Sequence, residues 1–152
     1  MWCGVVAQLA RTRANRILKG QPLPYPLFVL LRHFCHDPDR EWTVGQLAAA
    51  FEAGQPGITK KVRKLLDLRL LSVREDPDDA RRRWLRVTAR GVALRDELTG
   101  RLEPDRQKIF ANWRPAETAE LHRLLDRLRQ ELDIDRTPAE KLISVLGTEI
   151  NF

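Results

Sequence analysis

Apolar positions in this chain recur mainly at helical spacing, with one short interruption. Gly4 to Lys19 places Val5, Val6, Leu9, Ala10, Ile17 and Leu18 among Arg11, Arg13 and Arg16, the pattern of an amphipathic helix. Gly20 to Pro24 breaks it, with one glycine and two prolines in five residues. Pro26 to His36 is strongly apolar and reads as a buried helix stopped by Asp37-Pro38. Thr43 then offers a hydroxyl to an orphan backbone N–H, and Gln46 completes a capping box. The helix that follows buries Val44, Leu47, Ala48 and Phe51, and Gly54 is expected to end it. The next begins near Gln55-Pro56, since a proline is tolerated in a first turn. Its stripe of Ile58, Val62, Leu65 and Leu66 forms one face, with Thr59, Lys60, Arg63 and Lys64 away from it.

The period then changes from helical to alternating. Leu70 to Val73 reads as a short strand, Glu75 to Asp79 as a turn, and Arg83 to Val87 as a second strand. Two helices with a short turn between them, followed by a hairpin, make a winged helix. Helical spacing resumes at Gly91 with Val92, Leu94, Leu98 and Leu102, then Ile109, Phe110 and Trp113; Pro104 is expected to interrupt it. Ala116 to Asp133 carries Leu121, Leu124, Leu125, Leu128 and Leu132 among charged residues, and 137–152 is expected to add a short helix. The expected fold is mainly α, with a small β-hairpin wing.

Composition narrows the class. The chain has 152 residues, enough for one domain or for a small domain with an appended helical module. No apolar run approaches the roughly 20 residues of a membrane span, and the first residues do not read as a signal peptide. Cys3 and Cys35 cannot form a disulfide framework, so a cytoplasmic protein is expected. Charge is concentrated in one place. Gly54 to Gly91 holds eleven Lys and Arg against five Asp and Glu, a surplus equal to the +6 of the whole chain. A basic block in an otherwise balanced chain suggests a face for a polyanion.

The stretch LAAAFEAGQPGITKKVRKLLDLRLLSVREDPDDARRRWLRVTARG, Leu47 to Gly91, resembles the DNA-binding core of the MarR family of bacterial transcriptional regulators. Leu47-Ala48 open the first helix, and Ile58-Thr59 and Val62 stand in the recognition helix. Leu70-Leu71 begin the strand, and Asp76-Pro77 with Asp79-Ala80-Arg81 form the wing. Val87-Thr88-Ala89-Arg90-Gly91 stands where that family has L-T-x-x-G. The sequence departs from the pattern at Glu52 and Arg69, where glycines are usual, and at Ala80, where a basic residue is.

The resemblance implies a winged helix-turn-helix domain at 26–91, flanked by helical dimerisation regions at 1–25 and 92–152. It implies a homodimer on a pseudo-palindromic operator in double-stranded DNA, acting as a ligand-responsive repressor. Residues at the start of the recognition helix reach base edges in the major groove. Here these are Gln55, Gly57, Thr59 and Lys60: Gln55 suits adenine, Thr59 a thymine methyl, and Gly57 lets the backbone approach. Lys61 and Lys64 suit phosphates, and Arg63 and Arg74 belong to the same basic set. The family's D-x-R arginine, here Arg81, enters the minor groove, with Asp79 expected to orient it through an ion pair. Arg82, Arg83 and Arg86 add phosphate contacts.

Other readings are weaker. No P-loop, GxGxxG, HExxH or GxSxG is present, so the chain is not read as an enzyme and no cofactor is expected. His33, Cys35 and His36 are close in sequence, but a helix turns Cys35 away from the histidines, and no metal is expected. A winged helix serving protein–protein or RNA contact is the alternative from another class. Cys3 near Tyr25 is faintly similar to the one-cysteine peroxide sensors of the family, which use a second tyrosine that this chain lacks. Cys3 is therefore not expected to be the switch, and Cys35 is expected to be a buried, inert thiol. The resemblance implies a small aromatic or phenolic effector as the signal, with Trp2, Phe28, Trp42 and Trp113 as candidates to line its cleft or to be plain core.

Overall fold

The structure, a computed structural model, describes residues 2–79 and 81–132. The expected helix at 137–152, Ala80 of the wing and the side chain of Trp2 lie outside the described residues. The elements run α1 (Trp2–Ile17), α2 (Tyr25–His36), α3 (Val44–Ala50), α4 (Gln55–Asp67), β1 (Leu71–Glu75), β2 (Arg83–Val87), α5 (Ala89–Phe110) and α6 (Pro115–Leu132). The described residues are, as expected, mainly helical with one antiparallel hairpin.

Local chemistry sets the helix ends. Asn15 of α1 accepts from the Tyr25 backbone N–H at 3.2 Å, supplying the first amide of α2 with a partner. The capping box at α3 is complete: Gln46 N–H donates to Thr43 Oγ1 at 3.2 Å, and Thr43 N–H donates to Gln46 Oε1 at 2.9 Å. Gly54 does not end α3, contrary to expectation. Glu52 does, at φ 46°, while Gly54 is the extended N-cap of α4. Arg69 ends α4 in the same way, at φ 59°. In both turns the next amide reaches back five residues, Ala53 N–H to Ala48 O at 3.0 Å and Leu70 N–H to Leu65 O at 2.9 Å. Both are left-handed helix terminators in which glycine would be unstrained.

The hairpin pairs Leu71 with Val87 and Glu75 with Arg83, so Glu75 belongs to the strand and not to the turn. Trp42 adds a rung on the other edge of β2, exchanging backbone hydrogen bonds with Leu85 at 2.8 and 2.9 Å. The expected break at Pro104 is absent, and α5 runs through it. The missing N–H orphans only the Gly100 carbonyl, and both residues are exposed, so water can satisfy that oxygen.

The core is built around α2. Phe28, Leu30, Leu31 and Phe34 meet Trp42, Leu47, Ile58, Leu65, Leu70 and Leu85, and Leu98 of α5 closes the cluster. Phe28 and Trp42 are thus plain core, at 2% and 1% exposure, and not cleft lining; Trp113 is exposed and stacks edge-on with Phe110. Helix α5 is joined to the end of α4 by one polar node. Thr88 caps α5 by accepting from Gly91 N–H, and its hydroxyl lies 2.9 Å from Arg69 O and 3.1 Å from Leu70 O. A Cβ on Gly91 would lie 2.4 Å from Leu70 O, so the close approach of α5 to the end of α4 requires glycine there.

Candidate nucleic-acid interface

Helix α4 divides cleanly. Ile58, Val62 and Leu65 are buried, while Gln55, Gly57, Thr59, Lys60, Arg63 and Lys64 are exposed and Lys61 is half-buried. The 3.6-residue period alone produces this split, and it leaves every cation of the helix beside or opposite the core. Nothing lies within 4 Å of a Cβ built on Gly57, so the backbone there is open to a partner. The Thr59 hydroxyl donates to Gln55 O at 2.8 Å, which leaves its methyl and oxygen lone pairs for contact. The Gln55 amide leans toward α3: its Nε2 is 3.6 Å from where a Gly45 Cβ would sit.

The wing tip is organised by Asp76. One oxygen accepts from Asp78 N–H at 3.0 Å, and the other accepts from Trp84 Nε1 at 2.8 Å. These donors hold the carboxyl below its ordinary range, the backbone N–H first and the indole second, with Arg82 at 3.7 Å adding to them. Arg82 and Arg74 also lie near the Trp84 ring, at 6.0 and 5.8 Å from its centroid. Asp79 does not form the expected ion pair with Arg81. Its Oδ1 accepts from the Arg81 backbone N–H at 3.0 Å, because a short acid two residues before an amide closes a local turn more readily than it reaches the next guanidinium.

The basic set therefore splits in two. Lys60, Lys61, Arg63, Lys64, Arg81 and Arg83 form no ion pair among the described residues. Arg74, Arg82 and Arg86 do. Arg74 holds Glu41 through two hydrogen bonds, Nε to Oε1 at 2.7 Å and Nη2 to Oε2. This bond keeps the Glu41 carboxyl below its usual range. Arg86 bonds Asp39 and, at 3.1 Å, the Pro38 carbonyl. Sequence reasoning misses Asp39 and Glu41. The alternation Asp39-Arg40-Glu41-Trp42 just ahead of the capping box is the available signal of a strand-like segment.

Elsewhere, Cys35 is buried and its thiol is pushed up to about 11, mainly by desolvation, as an inert thiol would be. Cys3 is exposed. Among the described residues no group of three or more His, Cys, Asp or Glu gathers as a metal site, and no helix is long and apolar enough to cross a membrane. An open apolar hollow of about 270 Å³ lies between the end of α4 and the start of α5, edged by Pro22, Leu68, Leu70, Arg90 and Leu94.

No family model matches the chain, and no curated protein matches it in sequence. Solved structures do match in fold. A crystal structure of MarR superposes with a TM-score of 0.77 at 20% identity, covering 89% of this chain and 90% of that one. A mutant MarR from E. coli complexed with operator DNA gives 0.66 at 17% identity, covering 84% and 94%. BpsR of Bordetella bronchiseptica, whose DNA binding is regulated by 6-hydroxynicotinic acid, gives 0.66 at 23% identity, covering 85% and 99%. The chain has the winged-helix fold of the MarR-family regulators.

Proposed function

We propose that this chain is a DNA-binding transcriptional regulator, acting as a homodimer on a pseudo-palindromic operator. One observation carries the reading. The exposed face of α4 and the wing tip place on one winged-helix unit cations that form no ion pair among the described residues, and a MarR structure of the same fold is complexed with operator DNA. Helix α4 enters the major groove, Gln55, Thr59 and Lys60 meet base edges, and Lys61, Arg63 and Lys64 meet phosphates. Arg81 enters the minor groove, with Arg82 and Arg83 on the flanking backbone. Residues 26–91 form the DNA-binding unit, and 1–25 with 92–152 pair two copies.

The dimer is supported by apolar surface that one copy leaves uncovered. Val5, Val6 and Leu9 of α1, Ile109 of α5, and Leu124, Leu125, Leu128 and Leu132 of α6 are all exposed, and α6 buries no residue. Repression released by a small aromatic or phenolic effector is the regulatory reading, supported by the small-molecule control of BpsR. The protein then works in the cytoplasm and performs no catalysis.

Duplex binding measured against salt tests the reading. Arg81→Ala should cost about 1–3 kcal/mol on preferred DNA, while Lys64→Ala should weaken all sequences alike and flatten the salt slope by about one. Light scattering should give twice the 17.6 kDa chain mass. A stable monomer at micromolar concentration, or equal behaviour of the two variants, would refute the corresponding part.

A further inference from the structure

The hairpin has an inner face, with Leu71, Leu85 and Val87 buried, and an outer face carrying Ser72, Arg74, Trp84 and Arg86. The outer face is crossed by two arginines that end on the same short segment, 38–42. Arg74 starts from β1, on the far side of β2 from that segment, and grips Glu41 with two nitrogens. Arg86 starts from β2 and grips Asp39 and the Pro38 carbonyl. Just past these anchors, Trp42 is tied to Leu85 through the backbone, and the Arg40 guanidinium covers its ring at 3.9 Å. The segment leads directly into the Thr43 cap of α3, and α3 packs on α4.

Two carboxylates on this part of a basic surface oppose binding to a polyanion by simple Coulomb repulsion. Both pairs lie at the surface, where an ion pair adds little to folding. Their geometry supplies a different role. A bidentate arginine–carboxylate pair fixes direction as well as distance. Here one such pair, Arg74 with Glu41, and a second arginine, Arg86, bonded to the Pro38 carbonyl and to the exposed Asp39, span from the wing to the segment that sets the start of the helix-turn-helix.

We propose that Asp39 and Glu41 are positioning residues that fix the wing relative to α4, and that Arg74 and Arg86 are struts of this brace and not phosphate ligands. The proposal rests on the DNA-binding reading for its consequence: the brace sets the separation between the side chains of α4 and Arg81. It revises the place of Arg74 and Arg86 in the basic set, since their charge is already engaged by protein carboxylates.

The test uses Glu41→Gln and the charge swap Glu41→Arg with Arg74→Glu in the full chain. The probes are a duplex enriched by the wild-type protein from a random-sequence library and an unrelated duplex. Under the brace, Glu41→Gln lowers affinity for the enriched duplex about tenfold, leaves the unrelated duplex within about twofold, and the swap restores the loss. Hydrogen exchange of the wing amides rises in Glu41→Gln and returns in the swap, while the amides of α4 are unchanged. Tighter binding of both duplexes by Glu41→Gln, with a salt slope steeper by about one, would make Arg74 a phosphate ligand and overturn the proposal. Unchanged affinity and exchange would overturn it as well. A wild-type protein that binds no duplex would refute the DNA reading alone, and the exchange measurement would then decide the brace.

Discussion

Lowering the pH from 7 to 5 should weaken this fold through one side chain, His33. It is 7% exposed, and its ring centroid lies 4.5 Å from that of Trp42 and 5.1 Å from that of Phe51. Neither ring nitrogen has a hydrogen-bond partner among the described residues. Burial, with Arg40 and His36 adding positive charge nearby, lowers its pKa from 6.5 to about 4. The sign follows from which state takes the proton. Below pH 6.5 the unfolded chain binds a proton at this site that the folded chain refuses, so stability present above 6.5 drains away until about pH 4. The full gap corresponds to about 3.4 kcal/mol, and about 2 kcal/mol of it is lost by pH 5. That is a large share of the roughly 5–15 kcal/mol that holds an ordinary domain together. Glu41, Asp76 and Asp105 are held below their ordinary carboxylate values, so their contribution is lost mainly at lower pH. Urea unfolding followed by tryptophan fluorescence at pH 7 and pH 5 measures the effect. His33→Leu keeps the volume and removes both unpaired nitrogens, so its stability should fall by about 2 kcal/mol less than the wild type's over the same interval. Equal losses in the two proteins would refute the argument.

Three further outcomes are expected. Gly91→Ala should destabilise the fold by about 3 kcal/mol in a urea melt, since its Cβ would meet the Leu70 carbonyl at 2.4 Å, whereas Gly57→Ala, with open space around it, should fold as stably as the wild type. Arg69→Gly should raise stability by about 1 kcal/mol, the relief of a left-handed residue less the added freedom of glycine in the unfolded chain. Cys3→Ser should leave duplex affinity and its response to organic peroxide unchanged in a fluorescence-anisotropy titration; loss of a peroxide response present in the wild type would restore the thiol reading.

Features governed by near neighbours along the chain are legible in the sequence. The Thr43–Gln46 box, the stripe of Ile58, Val62 and Leu65, and the alternation from Arg83 to Val87 each depend on spacing within a few residues. What escapes depends on partners far along the chain or on what covers a surface. Asp39 and Glu41 look like solvated charges until β1 and β2 bring Arg74 and Arg86 to them across more than thirty residues. Pro104 reads as a break unless one knows that Gly100 and Pro104 face water. Asp79 does engage Arg81, but at the backbone amide and not the guanidinium; an aspartate in a turn has two donors within reach, and sequence does not choose between them. Glu52 and Arg69 stand out as departures from a glycine pattern, and both adopt the glycine-like conformation, so the pattern describes the backbone even where the residue differs.

The node at Thr88 and Gly91 makes α5 a lever. Its 22 residues form a rod about 33 Å long, held at its start against the last turn of α4, midway by Leu98 in the core and further on by the Arg13–Asp105 pair, and ending at Phe110 beside the exposed Ile109 and Trp113. A tilt of about 5° about either end carries the other through about 3 Å, close to the rise of one base pair. On the DNA-binding reading proposed above, such a tilt would shift the reach along a duplex by about one step. On that reading the angle of α5, as well as the shape of α4, would set where the winged unit meets a duplex.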